Sequence, residues 1–416
     1  MRRRWVAAAA VAGAALLVAP ARAQDLPTPM DLPNTEQAVT WIDQDPAVVE
    51  ARSALVAAGH GAAALRAGSH EWVAKASTSR RQVGGVGHSS EWSASIERAI
   101  RSGGKAQLDG QLGEVELAIG QALVGEARHE AARALADLWL DWLAAGRLQA
   151  LLAQQLQFVQ ANLRAVEARQ RAGDASALDS QVARTDLAEV QRQASLAAST
   201  LAKARARLAA RFPAPPVEAP RLADPVAPAP SIETWRERIL AEADPIKVAV
   251  GAVRKAELVA ARARADRSPD PTLGLYTAQE AFRNERIVGI SISLPFGGGQ
   301  RDARARQTLQ DVETARTALQ RVRRALEAEI AGSWIDATGS IERWRIAEQG
   351  GASAQESARL TQRAYTLGEA DLQALLLVRR QALDAARAAL EARVDALRSG
   401  YRLMIDAHRI WDLEHD

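Results

Sequence analysis

Four stretches of the chain alternate apolar and polar residues. In His70 to Val83, Trp72, Ala74, Ala76 and Thr78 share one side, while Glu71, Lys75, Ser77, Ser79 and Arg81 share the other. In Glu91 to Ile100, Trp92, Ala94, Ile96 and Ile100 oppose Ser93, Ser95 and Glu97. Pro271 to Phe282 sets Leu273, Leu275 and Thr277 against Gly274, Tyr276 and Glu280. Arg286 to Phe296 sets Val288, Ile290, Ile292, Leu294 and Phe296 against Gly289, Ser291 and Ser293. A period of two predicts strands with one apolar and one polar face.

Each strand pair runs into a very long helical stretch, Lys105 to about Arg171 and Arg301 to about Thr366. At about 1.5 Å per residue each would span about 100 Å. Leu152, Leu156, Val159, Leu163 and Val166 step by four and three in the first, and Val312, Ala315, Leu319, Val322 and Leu326 do so in the second. Return helices carry the same seam, through Leu187, Val190, Ala194, Ala197, Leu201 and through Leu390, Val394, Leu397, Tyr401. Such steps predict coiled-coil packing. Gly173 and Gly368 mark the reversals, each followed by an acid, Asp174 and Glu369.

The two halves match. Trp139-Leu140-Asp141 and Trp334-Ile335-Asp336 lie 195 apart, as do Gly173 and Gly368, and Gly103-Gly104 and Gly298-Gly299. Asp45-Pro46 and Asp244-Pro245 pair at 199, the first read as a helix cap followed by a first-turn proline and the second as opening the equivalent helix. Landmarks in register over that length predict a duplicated unit. The expected organisation is a leader at 24–44, a first repeat at 45–211 with its strand pair at 70–100, and a Pro-rich connector with a short helix, Ile232 to Glu242, at 212–243. A second repeat follows at 244–404 with its strand pair at 271–296, then a tail at 405–416 in which no pattern is read. The fold class is mainly α with a small β part, long coiled-coil hairpins plus two β-hairpins.

Composition sharpens this picture. Residues 1–23 read as a secretory signal: Arg2, Arg3 and Arg4, an apolar run from Trp5 to Val18, and Ala21-Arg22-Ala23 as the cleavage site. Removing its four arginines takes the formal charge from +3 to −1, which argues against a nucleic-acid partner. Without another long apolar run, a helical inner-membrane protein is excluded. The chain has no cysteine, hence no disulfide, no thiolate metal site and no lipid anchor on that residue.

Candidate chemistry is sparse. Gly103-Gly104-Lys105 lacks the spacing and the Ser/Thr of a phosphate loop, Ala106 following the lysine, and reads as a strand-to-helix turn. The six histidines are scattered away from ligand spacing, and most carboxylates sit beside arginine on helical faces. No catalytic residue, cofactor or metal site is expected, and the chain is not read as an enzyme. The strands carry the functional signal: about 9–11 residues each, alternating, with Trp72, Trp92 and Phe296 near their ends, as in transmembrane staves. Four strands cannot close alone, and open edges are not tolerated in lipid, so the chain must oligomerise or stay out of the membrane. A soluble periplasmic coiled-coil adaptor would share the helices but does not need the second apolar strand pair.

This order of signal, helix, strand hairpin, long helix, glycine turn and return helix, repeated across a Pro-rich link, resembles the TolC-type outer membrane factor family from about Thr35 to Leu403. The most specific stretches are Pro269 to Leu275, Val288 to Gly299, and Ala364-Tyr365-Thr366-Leu367-Gly368. Asn284 to Gly289 looks most like the CzcC branch, which serves heavy-metal efflux. The resemblance implies a homotrimer in the outer membrane of a Gram-negative bacterium, with a twelve-stranded barrel continued by an α-helical tube through the periplasm. Implied partners are a periplasmic adaptor, an inner-membrane RND pump and outer membrane lipid, and the cargo is heavy-metal cations, or drugs in the alternative. Trp72, Trp92, Ile96, Leu273, Leu275, Val288, Ile290, Ile292, Leu294 and Phe296 would face lipid. Gly173, Asp174, Tyr365, Gly368, Glu369 and Asp371 would form the periplasmic tip and gate. Aspartates that some relatives carry six and nine residues after the tip glycine are Ala374 and Leu377 here.

Overall fold

A computed structural model describes residues 29–212, 219–229, 231–280 and 284–411. The signal, Phe282, and parts of the leader, connector and tail lie outside them. Each repeat is built alike. In the first, α2 (Pro46–Ala67), β1 (Val73–Val83), β2 (Gly87–Ala99), α3 (Lys105–Ala172) and α4 (Ala177–Arg211) follow the short α1 (Thr35–Asp43). In the second, α6 (Asp244–Ala265), β3 (Thr272–Glu280), β4 (Glu285–Ser293), α7 (Gly299–Leu367) and α8 (Leu372–Asp406) follow the short α5 (Ile232–Glu242).

The long hairpins close along heptad seams. Leu152, Val159 and Val166 of α3 are buried, as are Ala183, Val190, Ala197 and Ala204 of α4, each at steps of seven. Small residues on α4 against larger ones on α3 let the helices approach closely. No described helix is long and apolar enough to cross a membrane.

The largest core lies midway along the helices and gathers segments that carry no periodic signal. Trp41, Ile42, Leu135, Trp139, Leu140, Leu143, Tyr401 and Trp411 pack together there. Asp31 is fully buried. It accepts from the Tyr401 hydroxyl at 2.6 Å and from the Ala223 amide at 3.0 Å, so leader, connector and α8 meet on one carboxylate. Its backbone carbonyl accepts from Trp139 Nε1 at 2.6 Å. The tail is part of this core, with Trp411 buried and donating from Nε1 to the Pro33 carbonyl at 3.0 Å. Two local details go beyond the sequence pattern. The leader contains a capped helix, α1, whose Asn34 side chain accepts from the Gln37 amide at 2.9 Å. Asp45 caps α2 through the Ala47 amide at 3.0 Å, but Asp244 is no cap: it lies inside the first turn of α6 and pairs with Lys247 at 3.4 Å.

The four strands form one antiparallel sheet in the order β1-β2-β3-β4. The hairpins of the two repeats are thus joined through β2 and β3, with Ile96 opposite Leu275 and Trp92 opposite Gln279. Among the described residues, the outer edges of β1 and β4 have no partner strand.

Candidate functional site: the sheet faces, the junction and the helical tip

Register decides which side chains share a face. Ala74, Ile96, Leu275 and Ile290 stand in one row across all four strands, and Ala76, Ala94, Thr277 and Val288 in the next. Leu273 and Ile292 lie opposite each other one row beyond. The apolar positions of the sequence therefore make one continuous face, and it is bare: Val288 is 83% exposed, Ile290 75% and Ile292 67%. Trp92 closes this face towards the β1–β2 turn, donating from Nε1 to Gln279 Oε1 at 3.0 Å. Trp72, Leu294 and Phe296 fall just outside the strands, at the helix side of the sheet, and are exposed. Arg98 lies over the Trp72 ring, 5.5 Å from its centre.

The opposite face is polar and cross-linked. Lys75 pairs with Glu97, and Ser77 Oγ meets Ser93 Oγ at 2.8 Å. Arg81 reaches both Glu91 at 3.0 Å and Glu280 at 3.4 Å, tying three strands together. Tyr276 lies over its cross-strand neighbour Gly289, where an added Cβ would stand 2.5 Å from the ring. Aromatic cover of a glycine on an edge strand pins register.

Below the sheet, a buried polar junction joins the repeats. Lys105, 1% exposed, donates from Nζ to the Ser268 carbonyl at 2.7 Å and to Asp270 Oδ1 at 2.8 Å. The same Oδ1 accepts from the Ser102 amide at 2.9 Å and hydroxyl at 3.0 Å, and Oδ2 lies 3.1 Å from His70 Nε2. Burial opposes ionisation of Asp270, but the hydrogen bonds from Lys105 and Ser102 outweigh it and hold the carboxyl down at about 2. Arg101 serves the open carbonyls at the end of α2, donating to Leu65, Arg66 and Ala67. Sequence reasoning saw Gly103-Gly104-Lys105 only as a turn. The turn is there, with Gly103 and Gly104 at φ +63° and +76°, but the lysine's role depends on Asp270, far away in the chain.

At the far end, Gly173 and Gly368 both adopt positive φ, +87° and +80°. Each closes its helix with the same pair of bonds. Asp174 N reaches the Arg169 carbonyl and Glu369 N the Ala364 carbonyl, both at 2.9 Å. The acids divide their work. Asp371 caps α8, accepting from the Ala374 amide at 2.7 Å. Ser176 and Asp179 form a reciprocal cap on α4. Asp174 and Glu369 are exposed at the turns. Tyr365 packs beside Val166, Ala183 and Leu372. Its hydroxyl accepts from Arg169 Nη1 at 3.2 Å, and the same guanidinium lies 5.5 Å from its ring centre. The contact links the two hairpins, and Arg169 had not been singled out from sequence.

No protein-family model matches the chain, and no curated protein matches it in sequence. Solved structures do resemble it. The CmeC outer membrane channel of Campylobacter jejuni is 13% identical, with 92% of this chain and 86% of that chain covered at a TM-score of 0.73. The outer membrane protein VceC of Vibrio cholerae is 18% identical, with 91% and 96% covered at 0.73. The open state of the MtrE outer membrane channel of Neisseria gonorrhoeae is 16% identical, with 91% and 89% covered at 0.71. Over nearly its whole described length, this chain has the fold of outer membrane channels.

Proposed function

We propose that this chain is the outer membrane duct of a tripartite efflux system, in which three copies close a twelve-stranded barrel above a helical tube. The carrying observation is the four-stranded sheet: bare and apolar on one face, ionic on the other, with both outer edges open. In lipid such edges must be paired, and pairing β4 of one copy with β1 of the next satisfies them. The apolar face then meets lipid and the polar face lines water. The helical hairpins, about 100 Å long, carry the passage into the periplasm. The glycine turns form the end that meets a periplasmic adaptor and an inner-membrane RND pump, and Tyr365 holds that end closed.

The cargo we infer is a heavy-metal cation. That reading rests on the likeness of Asn284 to Gly289 to the CzcC branch, and on no metal ligand. A duct does no chemistry of its own, so it is tested by passage. Purified protein in planar bilayers is expected to conduct, and deleting the gene is expected to sensitise cells to zinc, cobalt, cadmium or copper. Sensitisation to hydrophobic drugs alone would overturn the cargo and leave the duct. Neither conductance nor sensitisation would overturn both, and a soluble periplasmic location would favour an adaptor.

A further inference from the structure

The repeats define a second seam in detail, because the first one is inside the chain. Helices α4 (Ala177–Arg211) and α8 (Leu372–Asp406) have the same length and lie 195 residues apart at both ends. The first repeat meets the second through β2 on β3, α3 on α6 and α3 on α8. The corresponding elements of the second repeat, β4 and α7, have their other side open, and the elements that would match are β1, α2 and α4 of another copy.

Within the chain, α8 covers α3 with Leu383, Leu390, Val394, Leu397 and Tyr401. Its Arg398 donates to Asp137 Oδ1 at 3.0 Å and to Asp141 Oδ1 at 2.6 Å. Shifting α8 by 195 gives α4, and Arg398 becomes Lys203. The same shift from α3 to α7 turns Asp141 into Asp336, Asp137 into Gly332 and Leu140 into Ile335. The charges are conserved in sign through the repeat, although Lys203 and Asp336 make no ion pair in the chain among the described residues. Both are exposed. Leu140 is fully buried, whereas Ile335 is 65% exposed. The stripe on α4 that matches the covering face of α8 is also bare, and consists of small residues: Ser195, Ser199, Ala202 and Ala206.

We propose that α4 of one copy seats its Ser195–Ala206 stripe over Ile335 of the next, with Lys203 paired to the neighbour's Asp336. This deepens the ring reading given above and rests on it. Small side chains let α4 come close enough to cover Ile335, and the ion pair fixes the axial register of copy on copy. One lysine and one aspartate replace an arginine that holds two aspartates, so the seam between copies is the weaker of the two kinds in the ring.

The natural chain has no cysteine, so introduced thiols are unambiguous. Lys203→Cys and Asp336→Cys are placed together in the full chain, extracted from membranes and treated with a short bis-maleimide. Covalent dimers and trimers are expected on a denaturing gel. The control pair Asp141→Cys with Arg398→Cys is expected to stay at monomer size. A trimer by mass that shows no cross-link between copies would overturn this seam and leave the ring; a monomer by mass would overturn the ring itself. Separately, Asp336→Lys is expected to lower the temperature at which trimers dissociate, and adding Lys203→Asp to restore it. Absence of restoration would overturn the ion pair.

Discussion

Helices α3 and α7 are near-copies in length and place, yet they live in different surroundings. The middle of α3 is buried on several sides, through Ala131, Leu135, Trp139, Leu140 and Leu143, because α2, α4, α6 and α8 all pack on it. In α7 only Thr308, Val312, Ile330, Ala337, Ser340 and Ile341 are buried, against α5, α6 and α8. The sheet repeats the contrast: β2 is paired on both sides, while its counterpart β4 is paired on one. A near-copy that is covered in one repeat and bare in the other is what the proposed ring of copies would account for. Exposed apolar surface of this extent marks an interaction site and not a solvated face.

The contrast can be broken most sharply at the junction. Removing one member of a buried ion pair strands the other charge, at a cost of about 3–5 kcal/mol. Lys105→Met is therefore expected to destabilise the chain on that scale, measured by denaturant unfolding in detergent. The matching residue of the second repeat, Gln300, is exposed, and Gln300→Ala is expected to stay within about 0.5 kcal/mol. The pair also has a pH signature. The Asp270 carboxyl sits at about 2 in the folded chain, below its ordinary value of about 3.9. Its contribution is thus complete above pH 4 and lost as pH falls towards 2, and Lys105→Met is expected to flatten the stability profile in that window.

Within β4 the two faces are expected to part company next. Ile290→Arg or Ile292→Arg should cost about 2–4 kcal/mol per copy if these residues face mid-bilayer lipid. Ser291→Arg, between them on the polar face, should assemble nearly as the natural chain. Yield of heat-resistant oligomer from membranes reads the difference, and equal tolerance at all three positions would refute the assigned faces. The smallest expected effect is at the tip. Tyr365→Phe removes the bond from Arg169, worth about 1 kcal/mol net, and should raise single-channel open probability without altering assembly. Its counterpart in the first repeat is Gln170, where Gln170→Ala should leave gating unchanged.

Much of this architecture is legible in the sequence, for a physical reason. Helical and strand periodicities are local, so the bounds of α5, the facing of Ile290 and Ser291, and the reversals at Gly173 and Gly368 all follow from neighbours a few residues apart. What the sequence hides is held by distant partners. Nothing near Lys105 announces Asp270, nothing near Arg169 announces Tyr365, and nothing in the tail announces that Trp411 plugs the core beside Pro33. The join of β2 to β3 belongs to this class: alternation says which way each strand faces but not which strand lies beside it. Asp371 carries a role beyond the tip charge read from the sequence, since its carboxylate also caps α8.

The central claim is that the second repeat is open because a further copy of the chain covers it. The most direct test is the detergent-corrected mass of the protein extracted from membranes, by light scattering on the sized peak. Three copies in one particle, recovered from the outer membrane fraction, is the predicted result. A stable monomer in the soluble periplasmic fraction would contradict it.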